Sequence, residues 1–159
     1  MMAKRGAVSG RKIWGVWAAL GSAATLAGAF AFHYIGGYPP CAMCLWQRWP
    51  HAAAIVIGLA FYIFGARALA WLGALTALTT AGIGAYHVGV EQGLWPGPST
   101  CTGSGMRDLS SQDLVDSIMN APLVRCDDIA WQLFGISMAG WNAIVSLLLA
   151  FLWIMAVRR

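Results

Sequence analysis

The distribution of charged residues constrains this chain more than any other feature. Charged side chains are missing from four runs, residues 13–47, 49–66, 68–90 and 129–157. Each run is about as long as, or longer than, the roughly 20 apolar residues that cross a bilayer as a helix. Only 10% of the 159 residues are charged and 59% are hydrophobic, and a soluble domain of this size could not bury so much apolar surface. The sequence therefore predicts an integral membrane protein.

Four membrane-spanning helices follow from these runs. We predict an all-α membrane protein, a four-transmembrane-helix bundle that forms a single domain over residues 1–159. The first span also resembles a cleavable export signal, but its apolar run continues past the 7–15 residues of such a signal. The predicted spans lie at about 13–35, 49–65, 68–90 and 136–157, and the outward-facing loops lie at 36–48 and 91–135.

Basic residues are divided unequally between the two sides of this bundle. The side opposite the termini carries six acidic residues and three arginines. By the positive-inside rule, the termini are cytoplasmic and both larger loops face outward. The basic pI therefore reflects topology, and nothing in the chain resembles a nucleic-acid-binding module. The side that holds both termini has no acidic residue and seven basic ones, Lys4, Arg5, Arg11, Lys12, Arg67, Arg158 and Arg159.

All four cysteines lie in the outward-facing loops, Cys41 and Cys44 in the first and Cys101 and Cys126 in the second. If the host is a bacterium, this side is the oxidising periplasm, where an even number of cysteines indicates disulfides. A zinc site is disfavoured because only one pair has the CxxC spacing and no histidine lies between the other two cysteines. We therefore predict disulfide chemistry and no metal.

The stretch PPCAMCLWQRWP favours a redox role for the first pair. Pro39 and Pro40 favour a helix that begins at Cys41, and amides at a helix N-terminus stabilise a thiolate. Arg48 follows Cys44 by four residues and lies on the same face if the helix is continuous. A structural bridge has no use for a stabilised thiolate, and so small a loop stabilises a fold only weakly.

Pro50 complicates this geometry, because a proline inside a helix removes one backbone hydrogen bond. Two arrangements are open: Pro50 kinks the second span, or this span begins afresh near Trp49 with the CxxC turn set at an angle to it.

The second outer loop has two parts. Its first part, GLWPGPSTCTGSG, is rich in Gly, Pro and Ser and is expected to be irregular. The following LSSQDLVDSIM predicts a short amphipathic helix capped by Ser110, which either packs on the loop or lies on the membrane surface. A disulfide between Cys101 and Cys126 would close the loop. Cys101 is expected to be the more exposed of the two and the better target for another protein's thiolate.

With this topology and cysteine placement, the chain resembles the DsbB family of bacterial inner-membrane disulfide-generating proteins over nearly its whole length. The most specific match is PCAMCLWQR, in which Cys41, Cys44 and Arg48 fall at the family's redox and quinone-proximal positions. The segments YHVGVEQGLWPGPSTC and GISMAGWNA are also similar. Pro50 and Tyr86 depart from the family pattern.

The resemblance implies a quinone-dependent protein disulfide oxidoreductase in the bacterial inner membrane. Such a protein reoxidises a periplasmic thioredoxin-fold thiol oxidase of the DsbA type and passes the electrons to ubiquinone or menaquinone. Cys101 would take the mixed disulfide, Cys126 would pass reducing equivalents toward the CxxC pair, and Cys44 would lie beside the quinone. Arg48 and His87 would contact the quinone.

Simpler roles remain open for several of these residues. Arg48 could extend to lipid headgroups and His87 could be an interfacial hydrogen-bonding group, while His33 and His51 are expected to be interfacial or packing residues. The alternative function is a non-enzymatic membrane subunit whose outer loops are held by two structural disulfides. A related redox enzyme that passes its electrons elsewhere is a third.

Overall fold

The computed structural model describes residues 2–98, 101 and 124–158, with side chains from residue 10 onward. Each helix of the described part packs against two others, so that they form a closed ring in chain order. The prediction of an all-helical membrane bundle is therefore confirmed at this level. The elements are α1 (Met2–Tyr34), α2 (Ala42–Phe64), α3 (Arg67–Glu91), β1 (Gln132–Leu133), β2 (Ile136–Ser137) and α4 (Met138–Arg158).

Three of these helices are long and apolar enough to cross a membrane, within Gly10–Tyr34, Arg67–Glu91 and Met138–Arg158. The helix α2 has 23 residues but does not qualify. Its first part carries Gln47, Arg48 and His51, whose polar side chains lower the mean hydropathy. The structure thus supports a membrane bundle, and the predicted count of four spans is not established by hydropathy.

Of the two arrangements open at Pro50, the fresh start near Trp49 is wrong, because α2 begins at Ala42 and continues through Pro50. Its first turn is capped by Cys41, whose backbone is extended (φ −72°, ψ 169°) and whose sulfur accepts a hydrogen bond from the Cys44 amide. A capped N-terminus of this kind satisfies one of the free amides and favours starting the helix there. The CxxC pair is therefore built into the first turn of α2.

A two-stranded hairpin precedes α4, where the sequence predicted the beginning of the fourth span. Leu133 pairs with Ile136, so the connection has only two residues, Phe134 and Gly135. Both have positive φ angles, 54° and 75°, as the tight turn of a right-handed twisted hairpin requires. The predicted span at 136–157 consequently loses its first two residues to β2. The predicted amphipathic helix at LSSQDLVDSIM lies outside the described residues.

The two ends of the bundle differ in composition. At the end that we call the basic end, Arg11 donates to the carbonyl of Gly65 and the Lys12 ammonium lies 5.5 Å from the centre of the Tyr62 ring. The opposite end, which we call the cysteine end, holds Cys41 and His87. Arg11 and Lys12 are thus separated from the CxxC pair by the length of α2.

Packing toward the basic end depends on one tryptophan. Trp153 of α4 is completely buried and meets Phe61 of α2 edge to face, with ring centroids 5.8 Å apart. Gly73 of α3 lies against the indole so closely that an added Cβ would be 2.4 Å from it. Small residues that let a large ring approach the backbone are typical of packing between membrane helices.

Candidate functional site

The CxxC pair lies at the N-terminus of α2 with its two sulfur atoms 2.8 Å apart. A disulfide bond is about 2.05 Å long, so a small movement of the side chains suffices to join them. Cys41 is buried and Cys44 is half-buried. Because Cys41 precedes the first turn, its sulfur also receives the Cys44 amide at 3.2 Å. Helix geometry alone therefore favours a thiolate on Cys41.

His87, from the outer end of α3, reaches the same sulfur. Its Nε2 lies 3.7 Å from the Cys41 sulfur and 3.1 Å from the main-chain oxygen of Cys126. The sulfur atoms of Cys41 and Cys126 and a ring nitrogen of His87 all lie within 4.8 Å of one another. One histidine therefore lies between the two cysteine pairs.

The pKa of the Cys41 thiol is lowered to about 5. The hydrogen bond with the Cys44 side chain lowers this pKa most, and burial acts in the opposite direction. His87 lowers it further through its hydrogen bond to the Cys41 sulfur. Cys41 precedes the helical span, and at neutral pH its sulfur is a thiolate that can attack a neighbouring disulfide.

Cys101 and Cys126 are joined by a disulfide in the structure. The expectation that Cys101 is the more exposed of the two is wrong, since both have 0% exposure. They pack in one cluster with Cys41, Met43 and Val90, which covers the loop disulfide with the top of the bundle. An attacking protein must therefore displace this packing to reach the Cys101 sulfur.

The histidine and the two sulfurs could also be considered as metal ligands. The sulfur of Cys126 is already bonded to Cys101, so it has no thiolate to offer while that disulfide is closed. With the disulfide closed, the cluster matches disulfide exchange, in which a thiolate approaches a sulfur of a disulfide.

A cavity of about 320 Å³ opens beside the CxxC pair. Cys44, His87 and Arg48 all line it, so the structure brings three of the predicted site residues to one space. Pockets of this size that combine apolar walls with a few polar groups are typical sites for small organic ligands. Its apolar walls include Leu26, Phe32, Trp131 and Val145.

Arg48 is anchored on α1. Its Nη2 donates to the main-chain oxygen of Ala29 at 3.2 Å, and the guanidinium lies 5.0 Å from the centre of the Phe30 ring. Both contacts orient the guanidinium at the wall of the cavity. The groups that contact the CxxC sulfurs are instead the helix amide and His87, so thiolate stabilisation by Arg48 at Cys44 stays a prediction.

Sequence reasoning missed a buried polar network beneath the CxxC pair. It links Gln47 and His51 of α2, Thr80 and His87 of α3 and Asn142 of α4. His51 had been interpreted as an interfacial or packing residue. The usable signal was the coincidence of several polar side chains inside apolar helices, where burial without a partner is costly.

The fold and the site together define a class of protein: a helical membrane protein with two adjacent cysteine pairs, one at a helix N-terminus and one in a disulfide-closed loop. The chain belongs to the DsbB family, because the family model "Disulfide bond formation protein DsbB" matches residues 11–156. Family membership confirms the resemblance found in the sequence and assigns the chain to the membrane oxidoreductases of disulfide formation in general.

Two relatives cover most of the chain. "Disulfide bond formation protein B" of Methylococcus capsulatus is 33% identical over 127 residues, which are 75% of this chain and 77% of the relative. "Uncharacterized protein RP370" of Rickettsia prowazekii is 30% identical over 129 residues, 78% of this chain and 74% of the relative. No solved structure matches the chain.

Proposed function

We propose that this protein reoxidises a periplasmic thioredoxin-fold thiol oxidase of the DsbA type and passes the electrons to a membrane quinone. The single observation that carries the proposal is the spacing of Cys41, His87 and Cys126, whose reactive atoms lie within 4.8 Å of one another. This spacing supports exchange between the loop disulfide and the CxxC pair, which a protein with two purely structural disulfides would not need.

Electrons enter at the loop disulfide. A thiolate of the reduced partner attacks the Cys101 sulfur, forming a mixed disulfide and releasing Cys126 as a thiolate. The partner's second thiolate then attacks its own half of the mixed disulfide, so the partner leaves oxidised and Cys101 and Cys126 remain as two thiols. Two electrons have been transferred, and the protons follow the sulfurs.

The loop thiols then reduce the CxxC disulfide. The Cys126 thiolate attacks the Cys41 sulfur and releases Cys44, and Cys101 resolves the new bond by attacking Cys126. This restores the loop disulfide and leaves Cys41 and Cys44 reduced. Donation from the Cys44 amide and from His87 favours Cys41 as the thiolate of this pair.

The residues around the cavity fit a quinone. Phe32 and Trp131 offer apolar and aromatic surface, and Arg48 offers donors for an oxygen that gains negative charge. A buried nitrogen of His51 has no partner, which also suits a polar ligand. When bound, the quinone accepts two electrons and two protons from the CxxC dithiol and is released as hydroquinone. Ubiquinone and menaquinone differ in the substituents on the quinone ring, and both present the two carbonyl oxygens that this description requires.

We further propose that the protein lies in the bacterial inner membrane with both termini in the cytoplasm and both cysteine loops in the periplasm. Reporter fusions after Arg67 and after Arg159 are expected to read cytoplasmic, and a fusion near Ser110 periplasmic. A cytoplasmic reading at Ser110 would remove the oxidising compartment that the proposed function requires.

The decisive experiment uses the purified full-length chain, a reduced thioredoxin-fold oxidase and a short-chain quinone. The expected result is loss of partner thiols together with stoichiometric loss of the quinone's absorbance. A partner that lacks its second cysteine is expected to be trapped as a mixed disulfide, and Cys101→Ser is expected to abolish the trapping. A protein that shows neither transfer nor trapping is a structural subunit, and the proposal fails.

A further inference from the structure

One polar atom of a cavity-lining residue has no partner in the described part of the chain. The Nδ1 of His51 is buried and makes no hydrogen bond, although the residue is only 3% exposed. His51 lines the same cavity as Cys44 and Arg48. A buried polar atom left without a partner destabilises the fold, so each such atom in a native protein requires an explanation.

The hydrogen-bond network determines which kind of atom this nitrogen is. The side-chain nitrogen of Gln47 lies 3.3 Å from the Met43 main-chain oxygen and 3.0 Å from Nδ1 of His87. A main-chain oxygen can only accept, so the Gln47 nitrogen is the donor and the orientation of this amide is determined. The Gln47 side-chain oxygen must then accept, and it does so from the Asn142 nitrogen at 2.7 Å.

A second main-chain anchor gives the same orientation for Asn142. The hydroxyl of Thr80 donates to the main-chain oxygen of Gln47 at 3.2 Å and therefore accepts from the Asn142 nitrogen at 3.1 Å. The side-chain oxygen of Asn142 is left to face Nε2 of His51, 2.9 Å away. This oxygen accepts, so Nε2 carries the hydrogen of the neutral ring. Nδ1 of His51 is consequently an acceptor with a free lone pair.

We propose that Nδ1 of His51 accepts a hydrogen bond from a hydroxyl group of the hydroquinone held in this cavity, and so makes the site favour the reduced over the oxidised form. The inference rests on the proposed quinone function. An oxidised quinone presents two carbonyl oxygens, which are acceptors and cannot pair with another acceptor. Only the reduced form carries the hydroxyl that this nitrogen requires.

His51 and Arg48 therefore contribute opposite chemistry to one cavity. Arg48 has only donors and suits the carbonyl oxygen before reduction, whereas His51 suits the hydroxyl after it. The electron balance is that of the proposed function: the dithiol of Cys41 and Cys44 becomes a disulfide, and the quinone gains two electrons and two protons. Tighter binding of the reduced form makes the bound quinone a stronger oxidant of the dithiol, by thermodynamic linkage.

Two substitutions of His51 test the roles of its two ring nitrogens independently. In His51→Gln the side-chain amide nitrogen can replace Nε2 and keep the bond to Asn142, but the acceptor at the Nδ1 position is lost. In His51→Asn the side-chain oxygen can replace Nδ1, while the bond to Asn142 is lost. A purely structural histidine and a ligand-binding histidine therefore predict opposite orders for the two variants.

The measurement is the ratio of the dissociation constants for the oxidised and reduced forms of a short-chain ubiquinone, without turnover. It uses the full-length chain in detergent with Cys41 and Cys44 both replaced by serine, so that no electrons are exchanged. The reduced form is expected to bind more tightly in this parent, and His51→Gln is expected to reduce that preference about three- to tenfold. His51→Asn is expected to retain it.

Ser146→Ala is the matched control. Its hydroxyl is also buried without a hydrogen bond and lies one turn after Asn142, but the residue does not line the cavity. This variant is expected to keep the parental ratio. An unchanged ratio in His51→Gln, or a loss in His51→Asn as large as in His51→Gln, overturns the inference while quinone binding itself stands. If the parent binds neither form, the quinone function fails and the inference fails with it.

Discussion

The cysteine end and the basic end of the bundle are built from the same helices but differ in the side chains that these helices bring together. At the cysteine end, α2, α3 and α4 contribute hydrogen-bonding side chains to a buried polar network next to a cavity. Toward the basic end, the same three helices pack alanine and glycine around Trp153 and Phe61. One end brings hydrogen-bonding side chains together next to a cavity, and the other packs small residues against large aromatic rings.

This contrast predicts which substitutions change the redox chemistry and which change the stability of the fold. A polar network inside a membrane bundle keeps its geometry only if the helices that carry it are held in register. The tryptophan-centred packing provides that register from a distance of several turns. We therefore expect variants of the cysteine end to change redox chemistry with little change in stability, and variants of the tryptophan packing to do the reverse.

The largest effect is expected for Cys44→Ser. Without the second sulfur, the CxxC pair cannot hold the two electrons that quinone reduction requires, so this reaction is expected to fall to background. Trapping of a single-cysteine partner at Cys101 is expected to continue, because the loop disulfide is separate. Both are measured on the purified protein, with the unfolding midpoint as the test of fold. Normal quinone reduction by this variant would refute the assigned order of electron flow.

The next largest effect tests the packing around Trp153. In Gly73→Ala, the new methyl group would overlap the indole, which is completely buried and cannot move aside freely. Overpacking of this kind costs about 1–3 kcal/mol in the free energy of unfolding. The matched control is Gly82→Ala on the same helix, where an added Cβ meets nothing within 4 Å. Equal unfolding free energies for the two variants in detergent would contradict the proposed division between the ends.

Two arginines allow a direct comparison of the ends. Arg48 and Arg11 both donate to main-chain oxygens of a neighbouring helix, but only Arg48 lines the cavity. Arg48→Ala is expected to raise the KM for quinone about tenfold, equivalent to about 1.4 kcal/mol. Arg48→Lys is expected to be milder, since lysine keeps the charge but loses the planar fork.

For the same measurement, Arg11→Ala is expected to leave the KM unchanged. Exchange with the partner at Cys101 is expected to be normal in all three variants. An Arg48→Ala protein with normal quinone kinetics would reduce this arginine to an anchor on α1.

The smallest effect is a displacement of the Cys41 titration. The lowered pKa of about 5 predicts that reduced protein keeps its thiolate absorbance at 240 nm from alkaline pH down to near pH 5. Because the pKa in the folded state lies below that in the unfolded chain, the thiolate stabilises the reduced protein above the unfolded pKa. This contribution is lost as the pH falls through about 5.

His87→Gln is expected to raise the pKa of Cys41, because His87 lowers it through its hydrogen bond to the Cys41 sulfur. The titration uses a chain with Cys101 and Cys126 replaced by serine, so that only the CxxC thiols contribute. An unchanged midpoint would show that the helix N-terminus and Cys44 stabilise the thiolate without the histidine.

The sequence predicted the parts of this fold that depend on composition. Runs without charge located α3 and the last helix to within two residues, because burial in a bilayer tolerates few charges. They also located the end of α1, but this helix begins at Met2, well before the predicted start at residue 13. The beginning of α2 was misplaced because Pro50 was given more weight than the cap at Cys41. The hairpin at Phe134 was missed because a two-residue turn with a non-glycine at positive φ has almost no signal in a single sequence.

The site was predictable to a similar degree. The four cysteines followed from spacing and topology, and their pairing in the structure agrees with a loop closed between Cys101 and Cys126. The burial of Cys101 and the network through Gln47 and Asn142 depend on which faces of separate helices meet. Gln47 and Asn142 are 95 positions apart in the chain, so no local sequence pattern predicts their contact.

The cap on α2 links the bonding state of the Cys41 sulfur to the conformation of the first turn of the helix. The sulfur of Cys41 accepts a hydrogen bond from the Cys44 amide in the first turn of the helix. In the proposed function, the same sulfur changes its bonding partner in each cycle. A thiolate is a strong acceptor for that amide, and a sulfur engaged in a disulfide is a weaker one. Each turnover is therefore expected to weaken and then restore the cap on the first turn of α2. Because Gln47, Arg48 and His51 lie on the same helix, the bonding state of the Cys41 sulfur is coupled through the backbone to the residues that line the cavity.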